Sequence, residues 1–186
     1  MIPARRRRRP EPTEIGWREV VGLPGFGIER MRAKVDTGAR TSALHATDLE
    51  PFERDGTPWI AFSVPSPAQR QPVRCFAPIA DRRAIKNTSG VPETRYIVQT
   101  PLVIGRRHWT IEVSLSDRTE MEFDLILGRA AIRGHNFVVN PGKSYRAGLP
   151  DLPTLHHAPQ EGAAPSLEAT VPQVPGAYQT AEGKSQ

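Results

Sequence analysis

The chain has 186 residues, 38% of them hydrophobic, and a formal net charge of +5. This length suits one domain of roughly 100–150 residues with tails. The only cysteine, Cys75, excludes an intrachain disulfide and a cysteine-rich zinc site. No apolar run approaches the ~20 residues of a membrane span, and the basic N-terminus lacks the apolar stretch of a secretory signal. A cytoplasmic location and no membrane partner are therefore expected.

Both ends of the chain have compositions that predict disorder. Residues 1–12 are mostly arginine and proline, and residues 148–186 contain six prolines. Neither segment buries enough apolar surface to offset the entropy of ordering. The basic arm suits an acidic surface or nucleic acid, but it has no interleaved aromatic residues, so a solvated tail is the simpler interpretation. The predicted domain is residues 13–147.

The first half of this domain shows strand signals in chain order. An apolar segment from Ile15 to Leu23 is followed by a glycine- and proline-rich turn at residues 23–27. Apolar and charged residues then alternate up to Asp36. Ala43, Leu44 and Ala46 are predicted to form only a short turn. Further strands are predicted at residues 59–64, 71–78 and 82–85.

The second half continues this pattern. Strands are predicted at residues 95–100, 102–104, 109–115, 123–127 and 136–139. Only Arg129 to Arg133 has a helical pattern. Many short strands separated by glycine and proline favour a closed or sandwich-like all-β domain.

Asp36 is the strongest candidate for a catalytic residue. An apolar strand delivers it onto a tight turn, and Thr37 and Gly38 follow at once. Aspartic peptidases bring two carboxylates close enough to share one proton, so that one activates water and the other donates to the scissile carbonyl. The threonine hydroxyl can tie the loop to its neighbour, and glycine permits close backbone approach. The alternative is an aspartate that only caps a turn.

A second segment strengthens this interpretation. About ninety residues later, the apolar run Phe123 to Leu127 leads into Gly128 and Arg129. Retropepsins place a similar strand beside the catalytic loop, followed by a single short helix. The resemblance is closest to the family named ATP-dependent zinc protease, which is associated with RimK-type glutamate ligases. It is carried by residues 33–46, Ser89, Gly90, Glu93, Arg95, 109–112, 116–118, Met121 and 127–129.

This resemblance covers about residues 15–147 and implies a retropepsin-like closed β-barrel. It also implies that the substrate is a peptide or protein tail, such as a glutamate-extended ribosomal protein. The family usually has Val-Asp-Pro near the end of the domain, where this chain has Val139-Asn140-Pro141. Asn140 is expected to close a turn there, as asparagine serves as well as aspartate in that role.

Several polar residues are candidates for substrate binding. Arg40 follows the catalytic loop and suits forked hydrogen bonds to an acidic substrate, although a solvated arginine is equally consistent with its position. His45 and Glu93 are the best candidates for a zinc site, but zinc needs three or four ligands and no His-Glu-x-x-His motif is present. A polar site beside the cleft, with Arg95 as partner, is preferred. The predicted substrate-binding residues are Ala39, Arg40, His45, Glu93 and Arg95.

The remaining candidates have structural interpretations. Gly128 and Arg129 are predicted to be structural, with Arg129 holding neighbouring loops through a buried ion pair. Asp117, Arg118 and Glu120 are interpreted as a charged turn rather than a second acidic centre.

The sequence therefore predicts a retropepsin-like aspartic peptidase with Asp36, Thr37 and Gly38 in its catalytic loop and no cofactor. Only one Asp-Thr-Gly is present, so a two-carboxylate mechanism implies a homodimer. A binding module of the same fold, which grips an acidic peptide without cutting it, is the main alternative. A zinc-dependent hydrolase is the other.

Overall fold

The computed structural model describes residues 11–65, 71–86, 90 and 92–152. Within these ranges the chain forms twelve strands and one four-residue α-helix, α1. Residues 1–10 of the predicted arm and 153–186 of the predicted tail lie outside the described residues, as does Ser89. No helix in the described ranges is long and apolar enough to cross a membrane.

The strands follow one another through the chain with short connections. They are β1 (Thr13–Gly16), β2 (Arg18–Leu23), β3 (Ile28–Asp36), β4 (Ser42–His45), β5 (Thr47–Arg54), β6 (Thr57–Val64), β7 (Val73–Pro78), β8 (Asp81–Lys86), β9 (Pro92–Ile104), β10 (Arg107–Ser116), β11 (Leu125–Gly128) and β12 (Phe137–Asn140), with α1 (Arg129–Ile132) between the last two. A 3₁₀ turn at Pro24–Phe26 joins β2 to β3.

Six of these strands close into a barrel. Their order is β10-β4-β11-β3-β2-β9, and β9 pairs back onto β10 to complete the ring. β8 extends the sheet beyond β9, while β5, β6 and β7 form a separate antiparallel sheet and β1 pairs with β12 in parallel. Ring closure satisfies the backbone groups that an open sheet would leave at its edges. The predicted all-β closed barrel with one short helix is confirmed.

Alternation of side chains between two faces builds the core. In β6, Ile60, Phe62 and Val64 are fully buried, as the period-two pattern predicts. At the centre of the barrel wall, Leu44, Leu115 and Leu125 point inward from three strands. Burial of each such side chain contributes roughly 1.5–3 kcal/mol to stability.

The predicted turn at Ala43, Leu44 and Ala46 is wrong. Residues Ser42–His45 form β4, which lies between β10 and β11 in the barrel wall. All four side chains are buried, so no polar alternation was present to indicate a strand. β5 was also missed, because its charged and proline-containing sequence belongs to an exposed strand.

Two other boundaries differ from prediction. The single segment from Ile15 to Leu23 is divided at Trp17, because β1 pairs with β12 whereas β2 pairs with β3. Conversely, the two strands predicted at 95–100 and 102–104 are one continuous strand, β9. Pro101 faces Thr110 of β10 within it, at a position where its missing N–H does not interrupt the strand.

Residues 148–152, which the sequence assigned to the tail, pack against the barrel. The N–H of Asp151 donates to the carbonyl of Gly105 at 2.7 Å, and Leu152 lies against Gly22. Buried Glu19 fixes the same region, since its carboxylate accepts hydrogen bonds from the N–H groups of Arg146 and Ala147.

Candidate active site

Asp36 is the last residue of β3, where the strand turns into an exposed loop. It lies opposite Gly128 in the parallel pairing of β3 with β11. Its Oδ1 accepts hydrogen bonds from the N–H groups of Gly38 and Ala39, at 3.0 and 3.1 Å. Among the described residues, no hydrogen bond ends on Oδ2. One carboxylate oxygen therefore fixes the loop while the other stays available to solvent or substrate.

The rest of this catalytic loop, residues 36–41, faces outward. Thr37, Gly38 and Arg40 are exposed, and Ala39 is half-buried. A Cβ added to Gly38 would stand 3.3 Å from Asp36 Oδ1, so glycine keeps the space beside the carboxylate open. The predicted catalytic residues are thus together at one exposed turn.

Hydrogen bonds from α1 hold the loop from behind. The N–H groups of Arg129 and Ala130 donate to the carbonyls of Ala39 and Arg40, at 2.9 and 3.1 Å. Arg129 Nη1 donates to the carbonyl of Gly38 at 2.9 Å. Arg129 is exposed, so it joins the two segments through a backbone carbonyl and not through the buried ion pair that we expected.

Gly128 is enclosed by the loop on its other side. A Cβ at this position would meet the carbonyl oxygen of Thr41 at 2.6 Å, far inside any normal contact. The Gly128 N–H donates to Ser42 Oγ at 3.2 Å, and Ser114 Oγ donates to the Ser42 carbonyl. Sequence reasoning did not identify Ser42 or Ser114, because an isolated serine carries no signal of its partners.

A groove of about 300 Å³ lies next to the catalytic loop. It brings Arg40 together with several residues that the sequence did not single out, and its walls include Thr41, Arg83, Trp109, Glu112, Ala130 and His135. Trp109 stacks on His135 with ring centroids 4.2 Å apart. Burial and then the charge of Arg107 lower the pKa of His135 below its usual 6.5. The groove therefore offers the Arg40 guanidinium and an aromatic wall beside the catalytic loop, while Arg83 in the same groove is paired with Glu112.

His45 lies at the other end of β4 from this loop. Its Nδ1 accepts the N–H of Arg118 at 2.8 Å, so any ring proton sits on Nε2. The 3.7 Å approach of Nδ1 to Asp117 is therefore a near contact rather than an ion pair. Asp117 accepts hydrogen bonds from the side chain and N–H of Thr119, which lower the pKa of its carboxyl. Residues 117–119 thus form a charged turn.

The zinc alternative finds no suitable ligand set among the described residues, where no three His, Cys, Asp or Glu side chains are grouped to hold a metal ion. Glu93 instead binds Arg95, with Oε2 2.8 Å from Nη2. The one departure from the family pattern, Asn140, closes a turn by accepting the N–H of Gly142 at 2.9 Å, as predicted.

The register of the strands places Asp36 and His45 on the same face of the barrel sheet. Asp36 lies opposite Gly128, Ile126 opposite Ala43, and Ala43 opposite Ser114. Since directly paired residues point to the same side of a sheet, this face continues to His45 and Ser116, which are also paired. It is the face opposite the core, and we call it the outer face.

Comparison with known proteins identifies relatives of two kinds. The model of a family described as "RimB-like: Retropepsin-like aspartic endopeptidase RimB" matches residues 14–149. A solved structure, the protein Lpg0085 of unknown function from Legionella pneumophila subsp. pneumophila str. Philadelphia 1, superimposes with a TM-score of 0.64 at 27% identity. The match covers 73% of this chain and 98% of that one.

Curated relatives carry a different name. A "Probable alpha-L-glutamate ligase" from Desulfotalea psychrophila is 44% identical over 120 residues, which are 63% of this chain and 26% of the relative. A protein of the same name from Parasynechococcus marenigrum is 41% identical over 137 residues, 72% of this chain and 29% of the relative. The chain thus spans less than a third of the length of these relatives.

Proposed function

Because the chain belongs to the RimB-like family of retropepsin-like aspartic endopeptidases, we propose that it hydrolyses peptide bonds with a water molecule activated by Asp36. The observation that carries this proposal is the arrangement of the Asp36 carboxylate. Two backbone N–H groups fix Oδ1, and the side chain is only half-buried at the mouth of an exposed loop.

The reaction needs a second carboxylate, and we propose that a second copy of this chain supplies it. With two Asp36 side chains facing each other, one proton is shared, because two like charges about 3 Å apart do not both ionise. The ionised carboxylate takes a proton from a water molecule as the oxygen of that water attacks the carbonyl carbon of the peptide bond. The protonated carboxyl group donates its proton to the carbonyl oxygen. Collapse of the tetrahedral intermediate then breaks the C–N bond, and the amine leaves with a proton. The exposed Thr37 and Gly38 suit such a twofold contact.

The substrate that we propose is an acidic, glutamate-rich protein tail. Arg40 supplies a guanidinium group in the groove beside the catalytic loop, and guanidinium is the group that pairs best with carboxylates. Arg83 lines the same groove but is already bound to Asp81 and Glu112. Relatives named as glutamate ligases support a substrate to which glutamates have been added.

The test is the variant Asp36→Asn, incubated with a glutamate-extended peptide and followed by mass spectrometry. We expect cleavage by the native chain and none by the variant, because the amide neither shares a proton nor takes one from water. The thermal unfolding midpoint should change little, since asparagine keeps an oxygen for the N–H groups of Gly38 and Ala39. Retained cleavage in Asp36→Asn refutes the assignment.

A non-catalytic binding module is the second candidate. It is favoured by one observation: this chain corresponds to less than a third of relatives that bear the name of a ligase. In that arrangement the same barrel would hold an acidic peptide for a partner enzyme. Binding of the glutamate-extended peptide by the native chain, without any shortened product, would favour the module.

A further inference from the structure

Three cations lie together on the outer face next to Asp36, and we call them the basic cluster: Arg18, Arg32 and Lys34. Lys34 and Arg32 stand two and four residues before Asp36 in β3, and both are exposed, so alternation places them on the same face as the acid. Arg18 lies opposite Lys34 in the pairing of β2 with β3 and shares that face. At the rise of a strand, Lys34 and Arg32 are roughly 7 and 13 Å from Asp36.

The pair formed by Arg18 and Lys34 is unfavourable in the protein alone. The Cβ atoms of directly opposed residues are only about 5 Å apart, and like charges at that position destabilise a sheet. In the part of the chain that the structure describes, no carboxylate forms an ion pair with any member of the basic cluster. An anion from outside the chain would relieve this repulsion.

Aromatic rings hold both arginines of the cluster in place. The guanidinium of Arg18 lies 4.7 Å from the ring centroid of Trp17, and that of Arg32 lies 5.8 Å from Phe123. The two rings meet edge to face at 5.9 Å. Stacking uses the flat face of a guanidinium and leaves the N–H groups at its edge for a carboxylate. Arg18 Nε donates to Ser144 Oγ at 3.0 Å, so its Nη groups are the ones that can bind a ligand.

Acidic residues do not neutralise the basic cluster. Apart from the catalytic acid, the strand register places Asp124 beside it on the outer face. Burial and the charge of Arg95 lower the pKa of Arg118, whereas the charge of Asp124 raises it, so Asp124 is near a cation of its own. The next cation along β3, Arg30, has exposed Glu29 beside it at an irregularity in the pairing with β2, and we do not include it in the cluster.

From this arrangement we propose that the basic cluster binds alternate acidic side chains of the extended substrate, one carboxylate between Arg18 and Lys34 and the next at Arg32. Side chains that point the same way in an extended peptide are about 6.6–6.8 Å apart, which is also the spacing of Lys34 and Arg32 in β3. Measured from Asp36, the two carboxylates belong to residues about two and four positions from the cleaved bond. The proposal rests on the peptidase function above and deepens it.

The experiment measures binding in the Asp36→Asn background, so that cleavage does not interfere. Calorimetry gives the Kd of a glutamate-extended peptide and of the same peptide with glutamines. We expect Arg32→Gln and Lys34→Gln each to weaken binding of the glutamate peptide about threefold, and the double variant about tenfold, with no change for the glutamine peptide. Lys34→Arg keeps the cation and should retain the native Kd.

A matched control separates the basic cluster from a general effect of net charge. The double variant Arg82→Gln with Lys86→Gln removes the same two residue types from exposed positions of β8, and Arg82 also lies over an aromatic ring, that of Tyr96, at 4.9 Å. This control should leave both Kd values unchanged. An equal loss of affinity in the two double variants would refute the cluster as a site.

The spacing of the cluster is tested with peptides that carry two glutamates in a glutamine background. Glutamates two and four residues from the cleaved bond should bind about threefold more tightly than glutamates at positions two and three, because adjacent side chains of an extended peptide point in opposite directions. The difference should disappear in the double variant of Arg32 and Lys34. Equal Kd values for the two peptides would contradict the proposed alternation.

The outcomes distinguish this proposal from the peptidase function. If the double variant binds the glutamate peptide with the native Kd, or if oligouridine of the same charge binds more tightly than the peptide, the cluster does not recognise the substrate, whatever the cleavage assay of Asp36→Asn shows. If the predicted Kd changes appear but the native chain cuts no peptide, the basic cluster stands and the peptidase function fails.

Discussion

At the residue scale, the candidate site depends on positions where a side chain would be harmful as much as on the acid itself. Gly128 lies against the backbone of Arg40 and Thr41. A shift of that backbone would also move the loop that carries Asp36. Asp36 in turn holds that loop through Gly38 and Ala39. The backbone packing around Gly128 therefore also fixes the position of the Asp36 carboxylate.

We expect Gly128→Ala to displace the catalytic loop. Its Cβ would stand 2.6 Å from the Thr41 carbonyl oxygen, a contact that only a backbone shift relieves, and overpacking of this kind typically costs about 1–3 kcal/mol. Denaturant unfolding should show that loss, and peptide cleavage should fall more than a hundredfold, since a shift of about 1 Å is enough for such a loss. Ala130→Gly, at an exposed position of α1, is the control that keeps the contact open. Native cleavage rates in Gly128→Ala would contradict the account.

Buried Glu19 is the other residue whose effect we can predict. It is fully buried, and its carboxylate accepts N–H groups from Gly16, Arg146 and Ala147. Glu19→Ala leaves these donors without their acceptor and should lower the free energy of unfolding by about 3 kcal/mol. Glu19→Gln keeps an acceptor and should lose less. Equal stabilities of the three proteins in urea would show that the carboxylate does not hold the C-terminal segment.

At the element scale, the sequence predicted the strands that carry a clear apolar signal and missed two that do not. In β3 the apolar residues are buried and the charged ones are exposed, so alternation was sufficient, whereas β6 is buried on both faces from Ile60 to Val64 and its apolar residues marked it as a strand. β4 is buried on both faces, so its short apolar sequence resembles a turn as much as a strand. β5 is exposed on both, so it carries no apolar signal at all.

The candidate site divides in the same way. Asp36, Thr37, Gly38, Gly128 and Arg129 were found because each belongs to a local motif. Ser42, Ser114 and Arg83 were not, since their positions come from strand register, which brings together residues far apart in the chain. Cross-strand contacts are not readable until the order of strands is known.

The groove beside α1 should give the stability of the protein a pH dependence. The pKa of His135 is lowered in the folded protein by burial and by Arg107, so the unfolded chain binds a proton more readily. The free energy of unfolding should therefore rise with pH until the pH reaches the pKa of a histidine in the unfolded chain, near 6.5, and should be lower in acid. His135→Phe keeps a ring against Trp109 and removes the titration, so thermal unfolding between pH 5 and 7 should depend less on pH. If the unfolding midpoint of the variant depends on pH as strongly as that of the native chain, the pH dependence comes from groups other than His135.

At the scale of the whole molecule, the proposed mechanism makes the exposed catalytic loop half of a two-carboxylate site. A dimer joined at Asp36 should dissociate on dilution, and the specific activity should fall as it does, because a single copy holds one Asp-Thr-Gly. Sedimentation velocity across a dilution series, compared with the cleavage rate at each concentration, measures both. Full specific activity from a monomer would remove the twofold mechanism and require another acid.

The parallel pairing of β1 with β12 has a consequence for how the chain folds. Contacts such as those of Arg18 with Ser144 and Glu14 with Asn140 join residues 126 positions apart, and the barrel neighbours β3 and β11 are also distant in sequence. A high contact order slows folding, because loop-closure entropy is lost before the distant contacts form. Among the described strands β1 is the first and β12 the last, so a nascent chain has to leave the ribosome through β12 before β1 finds its partner.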